Sequence, residues 1–236
     1  MFFSFNVKSA NEAPIVFLTN ADLIYTENAK IQLDSASVLF DNDGDNDWSS
    51  GVLTIQITSN NEAADEISIP DNIVGNINTS GFSLFNGGTL IGSLNVNEGL
   101  VTNGSLLSIT FNQNATNSSV QEVLRSIHYR NTIDTPSTLD RIVTVTGKDR
   151  FNATANDSRT IKVSAINDVP TDITLSNNSI DQEKTGSGAD IGIFGSVDID
   201  NASFSYSLIS SGTAVNGSCN GNDSGNGNFQ IQVDRL

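Results

Sequence analysis

The sequence has one cysteine, Cys219, and one histidine, His128. A single cysteine excludes an intrachain disulfide. One histidine and one cysteine together fall short of a structural zinc site. Basic residues are also scarce, with 11 Lys and Arg against 27 Asp and Glu, for a formal net charge of −16. Phosphate recognition needs clustered Lys and Arg, so this balance argues against a nucleic-acid partner. The same deficit argues against docking on an anionic membrane surface. No apolar run approaches the roughly 20 residues of a membrane span. Residues 1–10 lack both the basic start and the long apolar stretch of a signal peptide. Export would therefore depend on a signal upstream of a fragment, or there is none. No Gly-x-Ser-x-Gly elbow is present, so a hydrolase triad has no anchor. The glycine-rich stretch 217–227 lacks the Gly-Lys-Ser/Thr ending of a phosphate loop. It also fails the calcium-binding nonapeptide pattern, with Phe229 where Asp should fall.

Asn, Ser, Thr, Gly, Val and Ile are plentiful while helix formers are few. That balance favours strands and turns. Hydrophobic residues make up 37%, enough for a packed core. Surplus carboxylate suits a divalent cation. It also suits plain solubility, and composition leaves both readings open.

An internal repeat organises the chain. Phe5-Asn6-Val7-Lys8-Ser9-Ala10-Asn11-Glu12-Ala13-Pro14 resembles Ile161-Lys162-Val163-Ser164-Ala165-Ile166-Asn167-Asp168-Val169-Pro170. Each is an alternating strand that ends in Asn, an acid, an aliphatic residue and Pro. The spacing far exceeds a solenoid repeat and is the size of a domain. Residues 1–13 then read as the last strand and linker of a preceding domain. Residues 14–168 read as one complete domain, and 169–236 as the first part of a second.

Within 14–168, turn signals alternate with short period-2 runs. Leu53, Ile55 and Ile57 share a face, as do Leu107, Ile109 and Phe111, and Arg141, Val143 and Val145. Further strands are expected at 22–25, 66–69, 82–85, 89–94 and 158–165. Turns are expected at Asn86-Gly87-Gly88 and Asn103-Gly104. One helix interrupts the strands, with Val120, Val123, Leu124 and Ile127 on one stripe and Ser118 with Gln121 as its capping box. In the second domain strands are expected at 173–175, 191–197, 204–208 and 229–233, with a loop at 212–227. The expected fold class is all-β, a sandwich with one short inserted helix, followed by an incomplete second sandwich.

Asp41-Asn42-Asp43-Gly44-Asp45-Asn46-Asp47 is the densest acidic run. Unneutralised carboxylates this close repel one another, and calcium takes six to eight oxygens. An EF-hand loop requires Gly at its sixth and Glu at its twelfth position. Starting from Asp41 those positions hold Asn46 and Val52, and from Asp43 they hold Trp48 and Thr54, so neither register fits. The alternative is a solvated acidic turn. Asp198-Ile199-Asp200 repeats the Asp-x-Asp pattern at the equivalent place in the second domain.

The order of these motifs resembles the bacterial cadherin-like repeats of large surface adhesins. Tyr25-Thr26-Glu27-Asn28 is similar to the Glu-Asn element of a cadherin's first strand. Asp41-x-Asp43 and Asp198-x-Asp200 resemble its Asp-x-Asp. Asn11-Glu12-Ala13-Pro14 and Asn167-Asp168-Val169-Pro170 resemble its interdomain linker. The stretch 115–136, with Val120-Gln121, Leu124-Arg125, Ile127 and Tyr129, is similar to a helix-then-strand segment of the bacterial repeats. So is the opening Pro170-Thr171-Asp172-Ile173-Thr174-Leu175-Ser176.

The resemblance implies an immunoglobulin/cadherin-like Greek-key topology and Ca2+ between consecutive domains. The implied ligands at one junction are Glu27, Asn167, Asp168, Asp198 and Asp200. At the other they are Asn11, Glu12, Asp41, Asp43 and Asp149. The resemblance further implies an extracellular or cell-surface location on a membrane-associated parent protein, neighbouring repeats of the same chain as partners, and a role in cell adhesion or as a stalk. Lys148 and Arg150 depart from the family, which usually has Asp and Gly there. They offer Asp149 a basic partner in place of a metal. The opening strand of the second domain departs too, reading Asp181-Gln182-Glu183-Lys184, where Glu183 matches only approximately.

Two rival functions are weighed. An enzyme lacks an anchor: His128 sits at a helix-to-strand transition and reads as structural, and no carboxylate pair is singled out for glycoside hydrolysis. A carbohydrate- or protein-binding sandwich module, recognising a glycan or a cell-surface protein, stays open. Trp48 beside the acidic run could stack on a sugar or, buried, anchor the loop.

Overall fold

The computed structural model describes residues 10–70, 76–177 and 192–206. The chain divides into two compact units, 1–166 and 167–236.

The first unit is an all-β sandwich with one short helix. Its strands are β1 Ile15–Phe17, β2 Leu23–Thr26, β3 Ile31–Gln32, β4 Val38–Phe40, β5 Val52–Ser59, β6 Asp65–Ser68, β7 Ile77–Ser80 and β8 Ser83–Asn86. They continue as β9 Thr89–Leu94, β10 Leu100–Thr102, β11 Leu107–Phe111, β12 His128–Asn131, β13 Arg141–Lys148 and β14 Thr154–Ser164. The helix α1, Asn117–Arg125, precedes β12. One sheet runs β2-β14-β13-β5-β11-β9-β8-β7 and a second β10-β6-β12-β3, while β1 and β4 pair separately. The ladders are antiparallel except β14 with β2, where Val163 lies opposite Tyr25 in a parallel pair. Among the described residues no helix is long and apolar enough to cross a membrane.

Alternation fixes which side chains meet. Leu53, Ile55 and Ile57 on β5, Leu107, Ile109 and Phe111 on β11, and Val143 and Val145 on β13 are all buried, as their period-2 spacing predicts. They share one core with Ile67, Val101 and Tyr129 of the smaller sheet. Tyr129 meets Tyr25 edge-on, with ring centroids 4.9 Å apart. The turn at Gly87 and Gly88 has φ of 56° and 81°. Positive φ at both central residues is what the type I′ two-residue hairpin loop requires, and two glycines supply it.

The helix is where expected, with Val120, Val123 and Leu124 buried, but it ends at Arg125, so Ile127, also buried, lies just past its C-cap Ser126. Its cap differs from expectation. Thr116, in extended conformation, is the N-cap, and it forms a reciprocal box with Ser119. Ser118 already lies in the first turn, where its side chain cannot cap that end.

Arg141 shares the buried face of β13 with Val143 and is fully enclosed. Its Nε bonds Asp65 Oδ2 at 3.2 Å, and its other nitrogens reach Glu62 and the carbonyls of Ser137 and Leu139. Asp65 also accepts from Tyr129 Oη at 2.7 Å and Asn131 Nδ2 at 2.8 Å. A buried charge is tolerated only with such full pairing.

In the second unit, β15 Asp172–Leu175 pairs antiparallel with β16 Phe194–Val197. The strand expected through Phe204 and Tyr206 does not form at those residues. Instead Tyr206 stacks on Phe194, with centroids 5.0 Å apart. Leu208, the loop 212–227, the strand at 229–233, Glu183 and the strand at 5–9 lie outside the described residues.

Candidate metal centre

The site is built from three segments at one end of the first unit. The chain leaves β4 at Phe40, and the acidic run follows at once. Its second half folds as a 3₁₀ turn, Asp45–Trp48. Trp48 is fully buried and packs edge-on against Phe111 at 5.8 Å. That burial makes Trp48 the anchor of the loop. The segment 10–13 ahead of β1 and the turn between β13 and β14 complete the site.

Asn117, the first residue of α1, holds the loop in place. Its Oδ1 accepts from the Asp41 amide at 2.7 Å and from Trp48 Nε1 at 2.8 Å. Its Nδ2 donates to the Asp41 carbonyl at 2.9 Å. Its own backbone amide donates to Asp45 Oδ1 at 2.7 Å. The positive end of a helix thus faces the acidic run, which favours negative charge there.

Asp41, Asp43 and Asp47 each bring a carboxylate oxygen within 4.8 Å of the others. Asp41 and Asp47 are buried, at 2% and 4% exposure. Asp41 Oδ1 accepts from the Asp43 amide at 2.8 Å. Asp41 Oδ2 is buried and has no hydrogen-bond partner. Burial pushes the Asp41 carboxyl above its ordinary range. The Asp43 amide opposes that shift, and the charges of Asp47, Asp149 and Asp43 reinforce it.

The leading segment closes over this group. Asp43 Oδ2 accepts from the Glu12 amide at 2.7 Å, and Asn11 Nδ2 donates to Asp149 Oδ2 at 2.7 Å. The buried Asp149 carboxylate also organises its own turn, where Oδ1 accepts from the amides of Phe151 and Ala153 at 2.8 and 2.9 Å. The structure therefore brings Asn11, Glu12, Asp41, Asp43 and Asp149 together. It also corrects the expected pairing of Asp149 with Lys148 or Arg150. The Arg150 guanidinium turns to Asp47, with Nε 3.1 Å from Oδ1. The Arg150 amide donates to the Asp47 carbonyl at 3.0 Å, which holds residue 150 beside the 3₁₀ segment.

Asp45 and Asp47 were part of the acidic run but not among the expected ligands, Arg150 was expected at Asp149, and Asn117 was not expected at the site at all. Asp47 was visible as the last acid of the run. Asn117 carried no signal, because its role depends on a helix landing beside a loop far away in sequence.

The second unit repeats the local pattern. The Asp200 amide donates to Asp198 Oδ1 at 2.8 Å, as Asp43 does to Asp41. The Asp168 amide donates to Asp200 Oδ2 at 2.6 Å, as Glu12 does to Asp43. Asn167 Nδ2 donates to the Asp168 carbonyl at 2.7 Å, and Asn11 makes the same bond to Glu12 at 3.1 Å. Asn201 Nδ2 also donates to Asn167 Oδ1 at 2.8 Å.

Glu27 lies at the end of β2, away from the cluster in sequence and 2% exposed. Its Oε2 accepts from the Ile166 amide at 2.8 Å, while Oε1 is buried without a hydrogen-bond partner. His128 is buried at the start of β12, with Nδ1 2.9 Å from the Ser126 carbonyl.

The donor set is all oxygen, hard and anionic, which suits calcium or magnesium over softer metals. The orphaned Asp41 oxygen inside a carboxylate group is the observation that fits a cation there. No protein-family model, curated protein or solved structure matches the chain.

Proposed function

We propose that the first unit binds Ca2+ at Asp41, Asp43, Asp47 and Asp149, and that the protein is a calcium-stiffened segment of an extracellular adhesin. The observation that carries the reading is Asp41 Oδ2. A buried carboxylate oxygen with no donor, in a group with Asp43 and Asp47 and within the field of Asp149, is costly unless a cation joins it. Calcium tolerates irregular sets of carboxylate and carbonyl oxygens, and the cluster is of that kind. Asn11 and Glu12, already hydrogen-bonded to Asp149 and Asp43, lie where a bound cation would tie the leading segment to the sandwich.

The likeness of the linker, Asp-x-Asp and Glu-Asn motifs to bacterial cadherin-like repeats supports an adhesive or stalk role at the cell surface. The same local bonding in the second unit supports a repeated device, with Asn167, Asp168, Asp198 and Asp200 as its carboxylate and amide donors.

The test is thermal unfolding in calcium and then in excess chelator, alongside calorimetric titration of Ca2+. A calcium-specific rise in the midpoint, abolished in Asp41→Asn, supports the reading. An unchanged midpoint with no heat of binding removes it, and the cluster is then only acidic surface.

A further inference from the structure

We propose that Arg150 is a built-in counter-ion that competes with the metal for Asp47 and so sets the affinity of the site. The inference rests on the calcium reading of the same cluster. Arg150 Nε stands 3.1 Å from Asp47 Oδ1, and the Arg150 amide donates to the Asp47 carbonyl at 3.0 Å. The guanidinium also lies over the Phe151 ring, 4.5 Å from its centroid. A single basic residue therefore grips one acid of the cluster through both its backbone and its side chain.

The two partners differ in freedom. The Asp47 side chain is 6% exposed, whereas that of Arg150 is 36% exposed. The acid is fixed and the base can leave. Asp41 and Asp149 are held by backbone amides and the Asn11 amide, which carry no net charge. The Arg150 guanidinium neutralises one carboxylate of this group, that of Asp47. A divalent cation that takes Asp47 must share its oxygens with the guanidinium or displace it. The positive charge beside the cation also opposes binding at any geometry.

Arg150 thus stabilises the metal-free loop and weakens the loaded one. With it present, the site responds to calcium at higher concentration than its carboxylates alone would set. The backbone contact from residue 150 to the Asp47 carbonyl survives substitution, so the turn itself is retained.

The experiment is calorimetric titration of Ca2+ into the whole chain, wild type against Arg150→Gln, Arg150→Lys and Lys148→Gln. The expected result is a Kd lowered about five- to tenfold in Arg150→Gln. Arg150→Lys keeps a Kd near wild type, and Lys148→Gln, which removes a charge that makes no ion pair to the cluster, changes little. In chelator, Arg150→Gln should also melt below wild type, reversing their order in calcium. A merely structural arginine would weaken binding on removal, so tighter binding separates the two roles. Calcium binding in wild type with an equal or higher Kd in Arg150→Gln overturns this inference and leaves the site intact. Binding by Arg150→Gln alone supports it in its strongest form. Binding by neither protein overturns both this inference and the calcium reading.

Discussion

Asn117 grips Asp41 from both sides, accepting from its amide at 2.7 Å and donating to its carbonyl at 2.9 Å. The same Asn117 oxygen takes the Trp48 indole N–H. One side chain thereby fixes the loop backbone, the aromatic anchor and the start of α1.

Asn117→Ala should therefore destabilise the first unit by about 2–3 kcal/mol, because it leaves buried donors and an acceptor unpaired. Urea unfolding in chelator measures this directly. The variant should also bind calcium more weakly, since Asp41 loses its fixed position. Unchanged stability would show that the clamp does not hold the loop.

Asp41→Asn should raise the melting point in chelator and lower it in calcium, relative to wild type. The charged form of Asp41 is disfavoured by burial and by its acidic neighbours, so removing that charge relieves the metal-free state. In wild type, calcium at a hundred times its Kd contributes about 2.7 kcal/mol. For a unit of this size that is a midpoint rise of roughly 5–10 °C. Scanning calorimetry with and without chelator reads both effects.

Arg141→Met should cost about 3–5 kcal/mol, because it strands the Asp65 charge in the core. Tyr129 and Asn131 still donate to Asp65, but neither neutralises it. Denaturant unfolding of the variant, compared with Arg141→Met/Asp65→Leu, should show partial recovery in the double mutant. No recovery would place the cost in the lost carbonyl contacts of the 132–140 loop.

His128 predicts a pH dependence. Burial lowers its pKa, the Ser126 carbonyl opposes that shift, and the Lys30 charge adds to it. With the folded value below the unfolded one, the unfolded chain takes the proton first. Stability from neutral His128 is then complete above about pH 6.5 and is lost as pH falls through the folded value. His128→Gln should flatten the part of the stability profile just below pH 6.5. A profile identical to wild type there would assign the slope to other groups.

The strand faces were legible because a sheet exposes its pattern locally. Leu53, Ile55 and Ile57 alternate, and alternation alone tells which side is buried. Arg141 sat in the same pattern as Val143, yet nothing local named Asp65 and Glu62 as its partners. The helix stripe was legible, but its cap was misplaced by two residues. Ser118 and Thr116 carry equivalent hydroxyls, and only the backbone conformation at Thr116 decides between them.

The sequence by itself determined the all-β class, the buried faces, the position of the helix and the two runs of Asp-x-Asp. These follow from period, turn chemistry and charge density, which are properties of neighbours along the chain. Tertiary structure alone decided that Asn117 clamps Asp41, that Asp47 joins the carboxylate group and that Arg150 answers Asp47 and not Asp149. The first and the last depend on segments distant in sequence meeting at one end of the sandwich, and the second on the 3₁₀ turn of Asp45–Trp48 within the loop. Where a side chain finds its partner there is set by how the loops and the helix pack, and no local pattern encodes that.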